Sequence, residues 1–217
     1  MKLHIVIPAR GGSKGILKKN IQKIKGKTLV EISINFALKL KINGKIFVSS
    51  DMKEVMDICS KYKNIIFDKR PKNLAKDNTS TIEVVEDLFN RIDQIDKKDI
   101  ILLLEPTSPI REIKTVKSAL KIFNTKNLNS LVSVIKHNNL IVSNLSSYLK
   151  NSFNLNIYQR QKRAFYYEIV GTFFITKVST LLKKGFLHNR TYLYEVSKEE
   201  GIDINELQDL NLVRKIL

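Results

Sequence analysis

Short apolar segments alternate with helical patterns along most of this chain, and this alternation limits its fold more than any other feature. Strand-type runs rich in Ile, Leu and Val occur at Leu3–Ile7, Ile46–Ser49, Ile65–Phe67, Ile100–Leu104 and Ser130–Val134. Helical periodicity lies between them, at Leu29–Leu40, Lys53–Tyr62, Ser80–Ile92 and Lys114–Phe123. Apolar strands joined by helices favour a mainly parallel sheet covered on both faces. We therefore predict a doubly wound α/β fold that binds ligands at the carboxyl ends of its strands.

The alternation is interrupted by a polar stretch rich in Asn, Ser and Lys, from about residue 136 to residue 165. We interpret this stretch as a small insertion that serves as a lid or a dimerisation arm. Strand patterns resume at Ile169–Thr176 and Tyr192–Val196, and the last helix is predicted at Glu206–Ile216. Since there is no internal repeat, residues 1–217 are expected to form one domain with this arm.

Composition narrows the class of protein. No apolar run approaches the ~20 residues of a membrane span, and the amino-terminal stretch does not resemble a signal peptide. We therefore expect a cytoplasmic protein with no membrane partner. Cys59 is the only cysteine, so no internal disulfide can form. The net charge of +17 is spread along the chain without a dense basic block, so we expect no nucleic-acid partner, and nucleic-acid binding is an alternative that rests on charge alone.

The loop after the first predicted strand points to a nucleotide. Residues 10–20 combine three glycines, one arginine and three lysines. Glycines allow backbone N–H groups to approach a ligand closely, and the cations suit a polyphosphate. Spacing excludes two common phosphate-binding motifs. A P-loop ending at Lys27 would need glycine where Ile21 stands, and Gly11, Gly12 and Gly15 do not fit G-x-G-x-x-G.

The segment IPARGGSKGILKKN, residues 7–20, resembles the signature of the cytidylyltransferases that activate sialic acids and related nonulosonic acids. Their pattern is roughly I-P-A-R-x-G-S-K-G-x-x-x-K-N, and further matches follow along nearly the whole chain. The resemblance implies a Rossmann-like nucleotidyltransferase fold, CTP as substrate, Mg²⁺ as cofactor and a homodimer. It also implies that Arg10 and Lys19 are catalytic. The nucleotide-binding residues that it predicts here are Ala9, Arg10, Gly11, Ser13, Lys14, Lys19 and Asn20.

Two further segments resemble the family's nucleotide-binding and sugar-binding motifs. Arg70 matches the arginine of an R-P dipeptide near the cytidine, and Ser80 matches a Ser/Thr cluster there, although helix capping alone would explain this serine. Residues 104–111, LEPTSPIR, resemble the family segment L-Q-P-T-S-P-L-R. It predicts sugar contacts from Glu105, Thr107 and Ser108. Glu105 replaces a glutamine, which hints at a sugar that carries an amino or amidino group.

The carboxyl-terminal third completes the predicted site. Arg160 and Gln161 match an R-Q pair whose arginine holds the sugar carboxylate, and bidentate guanidinium–carboxylate geometry suits that role. Val170 stands where the family has asparagine. Asp203 matches a metal-binding aspartate, and Asn205 stands at the position of a second aspartate. Both are predicted as Mg²⁺ ligands, because Mg²⁺ prefers oxygen donors and needs few from the protein.

The resemblance implies transfer of CMP from CTP to the anomeric hydroxyl of an acidic nine-carbon sugar. Besides nucleic-acid binding, two alternatives stay open at this point. The first is the same chemistry on legionaminate, pseudaminate or an eight-carbon ulosonate, motivated by Glu105 and Val170. The second is a catalytically weak nucleotide-sugar-binding homologue, motivated by Asn205.

Overall fold

The computed structural model describes residues 1–12, 15–92, 95–138 and 165–217. Its strands are β1 Leu3–Pro8, β2 Lys23–Ile24, β3 Lys27–Thr28, β4 Ile46–Ser50, β5 Ile65–Lys69, β6 Ile100–Leu103, β7 Ser130–His137, β8 Tyr166–Lys177 and β9 Tyr192–Glu195. Its α-helices are α1 Leu29–Lys39, α2 Lys53–Cys59, α3 Thr81–Arg91, α4 Ile113–Thr125, α5 Val178–Lys184 and α6 Leu207–Ile216.

Seven strands form one sheet in the order β5-β4-β1-β6-β8-β7-β9. The pairs β4–β5, β1–β4, β1–β6 and β7–β9 are parallel, whereas β8 is antiparallel to both β6 and β7. The mainly parallel sheet and the Rossmann-like α/β class are therefore confirmed. Because β8 runs in the opposite direction, it begins at the edge of the sheet where its neighbours β6 and β7 end.

Helices cover both faces of the sheet because alternate strand residues point to opposite sides. Ile5 and Ile7 of β1 belong to a core with residues of α1, α2 and α4. Val6, between them, belongs to a second core with residues of α3 and α5. The central strands are buried on both faces, which explains why their sequences are continuously apolar.

A third apolar cluster positions the loop that follows β1. Ile16 of this loop packs with Ile204, which precedes α6, and with Leu210 and Val213 of that helix. The chain's last helix therefore holds the glycine- and lysine-rich loop, although nearly 190 residues separate them in sequence.

The structure corrects several predicted boundaries. β7 continues to His137 and β8 begins at Tyr166, so the polar stretch assigned to an insertion includes strand residues at its start. Lys136 and His137 are two consecutive polar residues, which is why the sequence pattern did not show that the strand continues. The small β2–β3 hairpin was not predicted, because strands of two residues carry no periodicity. Residues 139–164, most of the predicted arm, lie outside the described residues, and the prediction of one domain stays a prediction.

No helix in the described parts of the chain is long and apolar enough to cross a membrane.

Candidate nucleotide site

A cavity of about 190 Å³ lies at the carboxyl ends of β1 and β6, at the edge predicted for a ligand. Six of the residues predicted from sequence line it: Arg10, Lys19, Asn20, Arg70, Glu105 and Thr107. They come from separate segments of the chain, so their convergence is a property of the fold. Their side chains supply cations, an amide, a hydroxyl and one carboxylate, which suits a polar, negatively charged ligand.

Arg10 lines the cavity and forms an ion pair with Asp77. Its Nη1 donates to Asp77 Oδ1 at 2.6 Å and lies 3.4 Å from the Lys76 carbonyl oxygen. Asp77 belongs to the segment between β5 and α3, so the pair joins two walls of the cavity. A triphosphate that binds Arg10 would take the place of the Asp77 carboxylate as the anionic partner of this guanidinium.

Lys19 connects the loop with the segment before α6. Its Nζ donates to the Ile204 carbonyl oxygen at 2.7 Å. Burial lowers the pKa of Lys19 and the positive charge of Arg10 lowers it further, while Asp203 opposes this shift. A partly desolvated ammonium group gains strongly from a bound anion, as a triphosphate-binding residue requires.

Asn20 carries an acceptor that the described residues leave unpaired. Its Nδ2 donates to the Arg10 carbonyl oxygen at 2.8 Å, which fixes the amide, and Oδ1 is buried without a hydrogen-bond partner among them. Because buried polar atoms normally have partners, an unpaired acceptor in a cavity wall indicates a ligand donor. Ala9 is different: its backbone bonds to Ser49 and Ser50, so it anchors the loop to β4.

The glycine-rich part of the loop is held by carbonyl and carboxylate groups. Gly11 N donates to Asp51 Oδ1 at 2.8 Å, so a phosphate contact of this N–H stays a prediction. A Cβ on Gly15 would lie 2.4 Å from the Asn205 carbonyl oxygen, so only glycine fits against the segment before α6. Ser13 and Lys14 lie outside the described residues.

Arg70 forms a buried wall of the cavity. Its Nη2 donates to the Ser49 carbonyl oxygen at 3.0 Å, and only 5% of the residue is exposed. Burial lowers the pKa of Arg70, while the nearby Asp51 and Asp68 carboxylates raise it. The guanidinium is fixed at the carboxyl end of β4, where a flat donor group suits a base or a phosphate.

Ser80 caps helix α3. Its Oγ accepts from Glu83 N at 3.2 Å, and Glu83 Oε2 accepts from Ser80 N at 2.7 Å, which completes a capping box. The neighbours Thr79 and Thr81 line the cavity instead. Capping therefore accounts for Ser80, and its predicted nucleotide contact stays a prediction.

Replacing Ser80 with alanine should lower the free energy of unfolding by about 1 kcal/mol, because the first turn of α3 loses its cap. Urea unfolding followed by circular dichroism measures this change. Ser179→Ala in the first turn of α5 is a comparison variant, since that serine is not an N-cap. Equal stability of Ser80→Ala and the parent would contradict the capping role, and CTP affinity of the same variant tests the nucleotide contact separately.

Glu105 and Ser108 occupy the part of the site next to β8. A Cβ on Gly171 of β8 would lie 2.5 Å from Glu105 Oε2 and 2.9 Å from Ser108 Oγ, so a side chain there would displace both. Burial and then the neighbouring Asp203 carboxylate raise the pKa of Glu105 to about 7, against the attraction of Arg111 and Lys19. The positive charges of Arg111 and Lys19 therefore do not offset the cost of burying the ionised Glu105 carboxylate beside Asp203.

Arg111 connects the backbone of the turn after β6 with the backbone of β8. Its Nε donates to the Thr172 carbonyl oxygen at 2.7 Å, and its Nη2 donates to the Glu105 carbonyl oxygen. Burial lowers the pKa of Arg111 to about 10. The guanidinium binds backbone rather than the Glu105 carboxylate, so it holds the turn after β6 against β8.

The predicted metal ligands lie before α6. Asp203 Oδ1 accepts from Ser108 Oγ at 3.1 Å, whereas Asn205 is exposed and its N donates to Asp209 Oδ2 at 2.8 Å. Asp209 also completes the capping box of α6 with Glu206. Among the described residues, no group of three or more His, Cys, Asp or Glu could hold a metal ion. A cation here would need oxygens from a bound phosphate.

Sequence reasoning missed Asp51 and Asp77, the carboxylates that hold the loop, and the cavity-lining Thr79. Thr81, which belongs with Ser80 to the Ser/Thr cluster matched from sequence, also lines the cavity. Asp51 follows β4 directly at the binding edge, which is a signal that could have identified it. The sequence offers no comparable signal for Asp77. Arg160 and Gln161 lie outside the described residues, so their predicted sugar contacts stay predictions.

Comparison with known proteins agrees with this geometry. The model of a family described as cytidylyltransferase matches residues 4–212, and the chain belongs to that family. It is 30% identical to the N-acylneuraminate cytidylyltransferase of Streptococcus agalactiae serotype V over 96% of this chain and 52% of the relative. It is 29% identical to the CMP-N,N'-diacetyllegionaminic acid synthase of Legionella pneumophila over 100% of this chain and 97% of that protein. The chain thus spans about half the length of the streptococcal relative.

A solved structure shares the fold. CMP:2-keto-3-deoxy-manno-octonic acid synthetase, complexed with CTP, superposes with a TM-score of 0.70 at 16% identity, covering 100% of this chain and 98% of the other. At that identity the likeness establishes the Rossmann-like fold and no substrate.

Proposed function

We propose that this chain transfers CMP from CTP to the anomeric hydroxyl of a sialic-type nonulosonic acid, with release of pyrophosphate. The observation that carries the proposal is the convergence of Arg10, Lys19, Asn20 and Arg70 on one cavity at the carboxyl edge of the sheet. The names of the relatives, which act on acylneuraminic and diacetyllegionaminic acids, support this substrate class. A cytoplasmic location and a role in bacterial surface glycan synthesis belong to the same proposal.

The side chains have distinct roles in this reaction. Arg10 and Lys19 would bind the triphosphate and stabilise the charge that develops on the leaving pyrophosphate. Asn20 Oδ1 would accept from a donor of the nucleotide, and Arg70 would fix the cytidine end. The anomeric hydroxyl attacks the α-phosphorus directly, so no protein nucleophile is required.

The donor set fits Mg²⁺. Nucleotide enzymes commonly hold this ion through one or two carboxylates and the phosphates of the substrate. Asp203 supplies a carboxylate whose only described hydrogen bond comes from Ser108, so further coordination sites are free on its oxygens. Bound Mg²⁺ would neutralise phosphate charge and favour deprotonation of the attacking hydroxyl. Asn205 was predicted from sequence as a second ligand, and no contact of the described residues tests that prediction.

The sugar would lie toward β8, against Glu105, Thr107 and Ser108. A carboxylate at Glu105 would repel the acid group of the sugar, so it favours a substrate with a donor or cationic substituent at this position. That observation keeps legionaminate, pseudaminate and an eight-carbon ulosonate as alternative acceptors. The exposed Asn205 keeps a catalytically weak nucleotide-sugar-binding homologue as the other candidate.

The test is pyrophosphate release by the purified chain with Mg²⁺, each of the four nucleoside triphosphates and a panel of nonulosonic acids. We expect release only with CTP, and with one acid preferred over the rest. Binding of CTP without turnover of any acid would favour the catalytically weak homologue. Absence of CTP binding would refute the assignment of the cavity.

A homodimer is a further part of the proposal. Phe165, Tyr167 and Ile169 point to one face at the start of β8 and are 54%, 46% and 45% exposed. Exposed apolar residues grouped in this way often mark protein interfaces. Light scattering of the chain should give twice the mass of one copy, and Tyr167→Lys combined with Ile169→Lys should lower it. Met56→Lys, an exposed position on α2, serves as the control.

A further inference from the structure

The Glu105 carboxylate lines the cavity without a partner of its own. Among the described residues, no donor lies within hydrogen-bond distance of either carboxylate oxygen. The nearby cations have other acceptors: Lys19 Nζ bonds to the Ile204 carbonyl, and Arg111 bonds to backbone carbonyls and Ser33. A poorly solvated carboxylate at a cavity wall is complete only when a ligand supplies positive charge or a donor.

Asp203 is a second carboxylate of this region and accepts a hydrogen bond from the Ser108 hydroxyl. Ser108 Oγ is 3.1 Å from Asp203 Oδ1, and both Ser108 Oγ and Glu105 Oε2 lie within 3 Å of the point where a Cβ of Gly171 would be. The absence of a side chain at Gly171 therefore leaves room beside Glu105 and Ser108, and Ser108 connects this space with Asp203. The Asp203 charge acts on Glu105, and two like charges that interact repel unless a cation lies near both.

Asn205 has neither the charge nor the placement of these two residues. Its side chain is exposed, its N–H is bound by Asp209, and its carbonyl oxygen is in contact with Gly15. Glu105 lines the cavity, and Asp203 is joined to its surroundings through Ser108, whereas the structure gives the Asn205 side chain no such contact.

We propose that Glu105, and not Asn205, is the second protein ligand of the divalent cation, together with Asp203. The inference rests on the proposed function, because the triphosphate of CTP would supply the remaining oxygen ligands. Although Asn205 is neutral, the cation would then still have two carboxylate ligands, Asp203 and Glu105, and Glu105 belongs to the turn after β6.

The test measures cation binding rather than turnover. Mn²⁺ is titrated into the protein with a non-hydrolysable α,β-methylene analogue of CTP, and bound Mn²⁺ is followed by electron paramagnetic resonance. Glu105→Gln should weaken Mn²⁺ binding by about tenfold or more, since even residues that only orient metal ligands contribute 10–100-fold. Glu105→Asp, which keeps the charge, should retain part of the affinity. Glu195→Gln on β9 is the matched control and should bind Mn²⁺ as the parent does.

Three results would overturn the inference. Glu105→Gln could bind Mn²⁺ as tightly as the parent, Asn205→Ala could lose more affinity than Glu105→Gln, or Glu105→Gln could weaken only the binding of the sugar acid. Thermal unfolding of each variant without cation verifies that the protein is folded. If the parent bound no CTP analogue at all, the proposed function itself would fail, which separates the two failures.

Discussion

Replacing Lys19 with methionine should lower kcat/KM for CTP by about 10²–10³-fold, the usual cost of removing one preorganised charge from a transition state. Methionine keeps the length and the apolar stem of lysine and removes the ammonium group. The effect is expected mainly in kcat, because the charge that Lys19 opposes grows as pyrophosphate leaves. Steady-state pyrophosphate release at varied CTP separates kcat from KM.

Lys18→Met is the matched control for this prediction. The two lysines are adjacent, but the Lys18 ammonium bonds to Glu54 Oε1 at 2.6 Å and does not line the cavity. Its loss should change kcat/KM by no more than about threefold, as expected for an exposed ion pair. Equal losses in both variants would mean that the overall charge of the loop matters and that the position of Lys19 does not.

Stability without divalent cations should fall with rising pH because of Glu105. The folded protein holds the proton of this carboxyl group up to about pH 7, whereas the unfolded chain releases it near pH 4.5. The folded state therefore binds more protons in this window. The parent loses stability relative to Glu105→Gln as pH rises through it, by about 3 kcal/mol in total. Urea unfolding of both proteins at pH 5, 6, 7 and 8 in EDTA measures the difference.

Below pH 4.5 the two proteins should respond alike to pH at this position, because the carboxyl group is protonated in both the folded and the unfolded parent. Glu195→Gln should show a constant difference from the parent over the same range. A difference between the parent and Glu105→Gln that does not vary with pH would show that the folded protein does not perturb this carboxyl group.

The helices could be predicted because their apolar residues recur with a regular period, and the central strands because their residues are continuously apolar. β1, β4 and β6 are apolar on both faces, and this is visible in sequence without any partner. The direction of β8 could not be predicted, since an apolar run is compatible with either direction. The ends of β7 and β8 were missed for a related reason: Lys136, His137 and Glu168 read as loop residues in a linear sequence.

The candidate site was predicted in part because short motifs specify residue types and not orientations. Arg10, Lys19 and Arg70 line one cavity, and their predicted roles stay predictions. The carboxylate that pairs with Arg10 was not predicted, because a lone aspartate such as Asp77 carries no spacing signal. The motif also assigned Gly11 to phosphate, whereas the fold directs its N–H to Asp51, a contact between segments 40 residues apart.

The residue pairs at the end of the β7–β8 pairing determine how freely the connection between these strands can differ in length among relatives. His137 pairs with Tyr166, their rings stack 5.2 Å apart, and His137 Nε2 lies 2.9 Å from Glu168 Oε2. Register is thus set by contacts between the strands themselves. Because doubling the length of a connection costs only about 0.6 kcal/mol, insertions and deletions between these two strands are nearly neutral for the sheet. A difference in the length of that connection therefore leaves the register of β7 against β8 unchanged.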